Sequence, residues 1–432
     1  MTDYKQFKIE RLDPISPTFC AAKWLTSDFY LYTGSTSSCH LPTPDKIDFD
    51  LVEQDINYFN NTKEKLEQRQ LMLRGHQPAK CSNCWQVENS SADAISERVL
   101  YSQKFIQDDF SLLDLTVKQK PKHITVAFDT LCNFTCSYCD ASQSTSWATD
   151  LIVRGPYKGI YNDDRKTYQR LGRNHQIDDY DKVFDKFVEY VIDSLPDITG
   201  ITCLGGEPLI SPNFWEFIKR ITEKDVSNIW INVITNLSYE ENIEKLLQYK
   251  NKFKSIEIVA SIDNIGASAE FLRKGLDWEV FEKNVMFLLE NNETKLLLTA
   301  TLPGIALDKI IDFLNWAVAL MQQYPNRLAL KLFRLRHPNF QAIQVLPREL
   351  KIKYKIELAN WVEKNSNLIS LDLLEQIKNI IIVLESSSDS FENVDIMLLQ
   401  NDAKAYYTEF AKRHNFNLDL IFSHELCEWI NS

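Results

Sequence analysis

The chain reads as an α/β fold, a partial barrel or open sheet of parallel strands, and three observations predict it. From residue 119 onward strand and helix patterns alternate. The connections between them are short, which for a strand–helix–strand series implies parallel strands joined by right-handed crossovers. Six such repeats can be counted, too few for a full eight-stranded barrel. In either arrangement a functional site belongs at the C-terminal strand ends.

The elements follow in order. The apolar-rich run His123–Asp129 (HITVAFD) reads as the first strand, and Asp181–Ser194 has helical periodicity. Ile198–Leu204 (ITGITCL) is a strand, Pro212–Thr222 a helix, and Asn228–Thr235 (NIWINVIT) a strand. Ser238, with Glu241 three residues on, reads as the N-cap of a helix to Tyr249. Strand Ser255–Ile262 (SIEIVASI) precedes helix Trp278–Asn291, strand Lys295–Thr301 (KLLLTAT) precedes helix Asp308–Gln322, and Leu328–Leu335 is the sixth strand. After Pro347 the pattern is helical over Arg348–Asn365, Leu371–Glu385 and Glu392–His414, with a serine-rich linker at Ser386–Ser390. Before the repeats, Phe29–Thr33 with Gly34 reads as a hairpin, and helix Thr62–Arg74 is capped by Gly75 and broken by Pro78. Three regions result: 1–118, 119–345 and 346–432. No solenoid-type repeat is seen.

Composition narrows the function. With 432 residues, 44% hydrophobic and 25% charged, the chain is an ordinary globular protein of two or three domains. The net charge of −12 counts against a nucleic-acid partner, and the one short basic cluster, Lys118–Lys122, reads as a solvated linker. No apolar run of about 18 residues is present, so no membrane span is expected. The opening MTDYKQFKIERLDP lacks an apolar signal core. Nine cysteines, an odd number in two close clusters, predict metal ligation in a reducing cytoplasm rather than a disulfide framework.

The most telling cluster is Leu131-Cys-Asn-Phe-Thr-Cys-Ser-Tyr-Cys-Asp140, which follows the first strand. Three thiolates at Cys132, Cys136 and Cys139 suit three irons of a [4Fe–4S] cluster and leave the fourth iron open, which a closed Cys₄ site does not. Gly205-Gly206-Glu207-Pro208 follows the second strand. Together the C-x₃-C-x₂-C loop, its place after a first strand and this GGEP run resemble the radical SAM superfamily. The resemblance implies that the open iron binds S-adenosylmethionine (AdoMet), whose reductive cleavage gives a 5′-deoxyadenosyl radical. It implies that Tyr138 packs beside adenine. Gly205, Gly206 and Glu207 would hold the AdoMet ammonium, and Pro208 would stiffen the turn. More loosely, Ser261 and Asp263 at the fourth strand end, with Arg273 beyond, match residues that face AdoMet ribose and carboxylate. The alternative is that Ser261 and Asp263 cap the next turn. Cys203 and Cys427 read as buried structural thiols, and Trp316, Trp361, Tyr406 and Tyr407 as helical core residues.

A second set, Cys20, Cys39, Cys81 and Cys84, precedes the repeats. Four thiolates close a metal site, and either structural zinc or a second [4Fe–4S] cluster satisfies them. His40 is a substitute ligand in reach by sequence. The surrounding pattern resembles the auxiliary-cluster twitch module, half of a SPASM domain, which favours iron–sulfur. In its relatives that module follows the barrel, whereas here it comes first. A closed site of this kind points to electron relay or structural support.

The resemblance implies hydrogen abstraction from an unactivated carbon, with a flavodoxin- or ferredoxin-type electron donor. A partial barrel with a lateral opening suits a peptide or protein substrate, modified by crosslinking, oxidation or epimerisation. Small-molecule rearrangement is the alternative, and a winged-helix peptide-recognition domain is not evident at the start. No cobalamin-binding region is apparent. A non-catalytic iron–sulfur or zinc scaffold is the reading from another class.

Overall fold

The computed structural model describes residues 4–90, 94–108, 110, 118–163, 168, 177–291, 294–385 and 389–432. Its strands are β1 (Thr26–Tyr30), β2 (Ser35–Ser37), β3 (Asp45–Lys46), β4 (His123–Ala127), β5 (Thr135–Cys136), β6 (Gly200–Leu204), β7 (Trp230–Thr235), β8 (Ser255–Ser261), β9 (Arg273–Lys274), β10 (Lys295–Leu302) and β11 (Leu328–Arg334). Nine of them form one sheet in the order β11-β10-β8-β7-β6-β4-β1-β2-β3. The six expected strands are parallel neighbours. Beside β4 the sheet gains a seventh parallel strand, β1, in register from Thr26↔His123 to Tyr30↔Ala127. Sheet pairing therefore crosses the 118/119 boundary read from composition.

Period-2 alternation sorts the two faces of this sheet. Ile124, Val126, Ile201, Ile231, Val233, Ile258, Leu298 and Leu330 join one core with helix residues Val188, Phe217, Leu246, Leu288 and Leu314. The opposite, concave face carries Thr202 beside Asn232, Asn232 beside Glu257, and Thr299 beside Lys331. On that face His123 Nε2 meets Thr202 Oγ1 at 3.0 Å and its ring lies 4.7 Å from Trp230. The barrel does not close: on β11 the concave-face residues Lys331 and Phe333 are exposed, Phe333 by 52%.

A smaller core forms around the first cysteine set, with Phe19, Trp24, Leu25, Met72, Trp85 and Val99 buried against Cys20 and Cys84. It is linked to the sheet by the helical turn Ala22–Leu25, which runs directly into β1. The expected hairpin is β1–β2, turning at Gly34 with φ +59°, a left-handed conformation that glycine adopts without strain. Helix Lys63–Leu73 starts at Thr62, whose hydroxyl accepts from Lys65 N.

Three local readings shift. Ser238 is not the cap: helix Glu240–Leu247 follows Tyr239, and Ser238 Oγ donates instead to Asn236 Oδ1 at 2.6 Å. The helix expected from Asp308 begins as a 3₁₀ turn, Gly304–Lys309, before Ile310–Gln323. The last long helix starts at Ile396, because Glu392 and Asn393 take positive φ in a tight turn and Asp395 caps Met397 N. The basic cluster is neutralised, Lys118 by Asp55, Lys120 by Asp193 and Lys122 by Asp108. Of the linker Ser386–Ser390, residues 386–388 lie outside the described residues. Among the described residues no helix is long and apolar enough to cross a membrane.

Candidate active site

The cysteine loop leaves β4 at its C-terminal end, and several carbonyls along it are tied down. Ser146 Oγ donates to Cys132 O at 2.7 Å, Ser144 Oγ to Phe134 O at 2.7 Å, and Trp147 Nε1 to Cys136 O at 2.9 Å. These donors share one helix, Thr145–Arg154, for which Ser144 is the N-cap. The Ser137 carbonyl, between the second and third cysteines, accepts from Tyr168 OH at 2.7 Å, Gln341 Nε2 at 2.8 Å and Tyr406 OH. Ser137 N donates to Leu272 O, and β5 pairs with β9. Parts of the chain far apart in sequence therefore fix one short loop.

The three thiols lie together. Burial pushes the Cys136 thiol up to about 12, against the nearby Arg273 guanidinium, with Cys132 adding to the rise. Burial also raises Cys139, with Cys136, Asp140 and Cys132 contributing. Phe134 N points at Cys132 Sγ at 3.4 Å, and Arg273 Nη1 lies 3.8 Å from Cys136 Sγ. Donors aimed at sulfur are what a cluster-bound thiolate requires, so the loop fits an iron–sulfur centre. Because burial keeps these groups protonated, metal loading must release protons.

Beside the thiols sits a buried polar knot. Arg273 Nε is 2.8 Å from Asp263 Oδ2, and Nη2 reaches Asp263 Oδ1 at 3.1 Å and Tyr138 OH at 2.7 Å. Tyr138 OH donates to Asp263 Oδ2 at 2.7 Å, and Thr301 N donates to Oδ1 at 2.8 Å. Asp263 is 0% exposed, and both of its oxygens have protein partners. Ser261 stays partly exposed at the end of β8, level with Thr299 on β10. The knot joins β8 and β10 to the loop's own Tyr138.

The GGEP segment closes on the same loop. Gly206 N donates to Asp129 O and Glu207 N to Leu131 O. A Cβ on Gly206 would stand 2.3 Å from Leu131 O, and one on Gly205, whose φ is +145°, would stand 2.8 Å from Asp129 O. The glycines thus permit backbone-to-backbone contact. Glu207 is buried, and its carboxylate accepts from Leu209 N at 3.0 Å, Thr235 Oγ1 at 2.7 Å and Asn236 N at 2.6 Å. Burial lifts its pKa to about 7 despite these donors. Pro208 starts the turn that follows. Thr235, read as the end of a strand, and Asn236 beside it are thereby placed in the site, and Asn236 Nδ2 also reaches Asn133 Oδ1 at 2.7 Å.

The second cysteine set also converges. Cys20, Cys39, Cys81 and Cys84 line one cleft, together with Lys23, Glu97, Arg98 and Tyr101. Backbone N–H groups serve three of the sulfurs: Ala22 for Cys20, Leu41 for Cys39 and Arg98 for Cys84. Burial pushes Cys39 up to about 12 and Cys84 up to about 11, each further raised by Cys20. Among the described residues no group of three or more His, Cys, Asp or Glu side chains converges on a single-ion site. In a cluster each thiolate binds a different iron, so its ligands need not meet at one point. His40 packs its ring 5.7 Å from Tyr101. Cys203 and Cys427 are buried away from both sets, in the main core.

Sequence reasoning missed the Ser137 clamp. Tyr168 and Gln341 carry no local signal, and Tyr406 reads as helix core, which it also is. It missed Lys23 as well, since a lysine beside a tryptophan in a short helix has no distinguishing pattern.

Residues 128–317 match the radical SAM superfamily. No curated protein matches the chain. Among solved structures, native anSMEcpe with bound AdoMet is similar at 15% identity and a TM-score of 0.39, over 62% of this chain and 68% of that one. Streptococcus suis SuiB bound to S-adenosylmethionine is similar at 12% identity and a TM-score of 0.38, over 78% and 68%. SuiB bound to precursor peptide SuiA gives 12% identity and a TM-score of 0.38, over 80% and 70%.

Proposed function

We propose that residues 128–317 act as a radical SAM domain, that the chain is an enzyme using AdoMet in radical chemistry, and that it abstracts hydrogen from a peptide or protein. The observation that carries this reading is the fixed loop: three clustered thiols whose backbone is pinned by donors from distant segments, with the Arg273–Asp263–Tyr138 knot against them. Cys132, Cys136 and Cys139 would hold the [4Fe–4S] cluster. When bound, cluster and AdoMet supply a 5′-deoxyadenosyl radical able to take a hydrogen atom from unactivated carbon.

The chain's own residues do the rest. The Ser137 clamp and the Thr145–Arg154 helix hold the thiols in place, so that little reorganisation accompanies electron uptake. Asp263 holds Arg273 beside Cys136 Sγ, where its positive charge favours the thiolate. Gly205 and Gly206 leave backbone groups free of side-chain cover at the strand end, and with Ser261 they line the approach for AdoMet. Glu207 acts mainly through Thr235 and Asn236, locking neighbouring strand ends together. The polar concave face, with Thr202, Asn232 and Glu257, and the exposed Lys331 and Phe333 at the open β11 side favour a substrate that enters laterally and extends beyond the barrel.

The second cysteine set belongs to the same proposal. Four thiols lining one cleft, three of them served by backbone N–H donors, together with the twitch-like sequence pattern favour a second [4Fe–4S] cluster over zinc. A flavodoxin- or ferredoxin-type protein in the cytoplasm would supply electrons.

The test is anaerobic incubation of reconstituted enzyme with dithionite, AdoMet and candidate peptides. Release of 5′-deoxyadenosine, with deuterium transfer from a labelled peptide, supports the reading. Turnover confined to small metabolites would reassign the substrate. Absence of 5′-deoxyadenosine from fully loaded protein, whatever the substrate, would leave a scaffold. Two clusters require about eight irons per chain, and replacing Cys132, Cys136 and Cys139 by alanine should remove one cluster and spare the other.

A further inference from the structure

The cleft that gathers Cys20, Cys39, Cys81 and Cys84 contains an ammonium in no ion pair among the described residues, although Glu97 also lines the cleft. Lys23 lines it and is 2% exposed. Its ammonium donates to Gln68 Oε1, a neutral amide, and among the described residues no carboxylate pairs with it. The other cation in the cleft, Arg98, is different: its Nε and Nη2 pair with both oxygens of Glu88 at 2.9 and 2.8 Å, so that its charge is balanced. Behind Lys23 the helix Lys63–Leu73 presents Lys65 and Arg69, both buried. Lys65 donates to Ser27, Thr36 and Asn60, and Arg69 donates to Lys23 O and Asn61. These hydrogen-bond partners are neutral as well, while the charges of Asp28 and Asp45 act on Lys65.

A buried ammonium without an anion is costly in a low-dielectric interior. Lys23 lines the cleft in which negative charge accumulates once metal is bound. Four thiolates outweigh the charge of an iron–sulfur core, so the loaded centre is a net anion, and each electron it accepts deepens that charge. Nearby positive charge therefore stabilises the reduced form more than the oxidised form. Net charge, hydrogen bonds to sulfur and burial are the levers that set such potentials.

We propose that Lys23 is the counter-charge of this N-terminal centre and raises its reduction potential, making it an easier electron acceptor than its four thiolates alone would allow. The proposal rests on the reading that these cysteines hold iron–sulfur. Lys23 is a tuning residue, and Gln68 positions it.

The test is an anaerobic redox titration with dithionite, followed by electron paramagnetic resonance, in the full chain with Cys132, Cys136 and Cys139 replaced by alanine so that only the N-terminal centre reports. Lys23→Met should lower the potential by at least 59 mV, a tenfold change in the one-electron equilibrium constant, and Lys23→Arg should restore it. Gln68→Glu keeps the lysine and places a carboxylate on it, and should lower the potential in the same direction even if Lys23→Met does not fold. Unchanged potentials in iron-loaded Lys23→Met or Gln68→Glu protein overturn the inference while leaving the cluster reading intact. Zinc, or no iron, in the triple-alanine protein overturns the cluster reading and this inference with it.

Discussion

Replacing Asp263 by asparagine is the most direct way to probe the knot beside the thiols. The change keeps the size of the side chain and removes one charge. In the native protein three hydrogen bonds and an ion pair converge on the carboxylate: Tyr138 OH donates to Oδ2, Arg273 Nη2 and Thr301 N donate to Oδ1, and Arg273 Nε lies 2.8 Å from Oδ2. Asparagine offers one acceptor oxygen, and its NH₂ must face either Arg273 Nε and Tyr138 OH or Arg273 Nη2 and Thr301 N. Hydrogen bonds are lost, and a buried guanidinium is left without its anion. Breaking one partner of a buried pair in this way costs about 3–5 kcal/mol. No solvent screening reduces that figure, because Asp263 is fully buried and Arg273 nearly so. Urea unfolding of the metal-free protein followed by far-UV circular dichroism reads the loss directly. The double variant Asp263→Asn with Arg273→Met removes both charges, so its cost should fall well short of the sum of the two single changes. A loss below about 1 kcal/mol for Asp263→Asn, or strict additivity in the double variant, would refute the picture of a mutually dependent buried pair.

Further expectations follow from the same geometry. Gly206→Ala puts a Cβ against Leu131 O, a backbone atom that cannot swing away. It should cost about 3 kcal/mol and abolish cluster assembly on the Cys132 loop, read as lost iron. Tyr406→Phe and Gln341→Leu each leave Ser137 O with other donors, and each should cost about 1 kcal/mol. Removing Tyr168, Tyr406 and Gln341 donors together strands a buried carbonyl and should cost more than the summed single effects, as urea midpoints will show. His123 is held at about 3 by burial, with Lys104 contributing. Its folded pKa lies below the unfolded value near 6.5, so its share of stability is intact above that pH and is lost as pH falls. Between pH 6.5 and 5 the loss should be about 2 kcal/mol, and His123→Asn should flatten that part of the stability profile.

The parts of this site carried by short sequence spacing were legible from the chain alone. The cysteine loop and the GGEP turn are local, and their chemistry follows from residue type. Asp263 and Arg273 were legible as neighbours, yet a carboxylate at a strand end looks the same in sequence whether it faces a ligand or an arginine. Only the fold shows Asp263 turned toward Arg273 and Tyr138. The Ser137 clamp was illegible for a different reason: its donors come from Tyr168, Gln341 and Tyr406, and nothing in a local window ties those positions to a carbonyl at 137. The β1 segment was visible as a hairpin arm, but alternation reveals a strand and not its partner, so its place beside β4 came only from the sheet. Ser238 failed as a cap because the side-chain amide of Asn236 competes for its hydroxyl.

The position of β1 makes the first hundred residues something other than an appendage. Its backbone zips along the whole length of β4, and the cleft that gathers four sulfurs hangs from the start of that same strand. Removing the residues ahead of β4 would lay bare a raw row of amides and carbonyls along that strand, an invitation to stick to any passing strand. The two cysteine neighbourhoods are built into opposite ends of one continuous fabric.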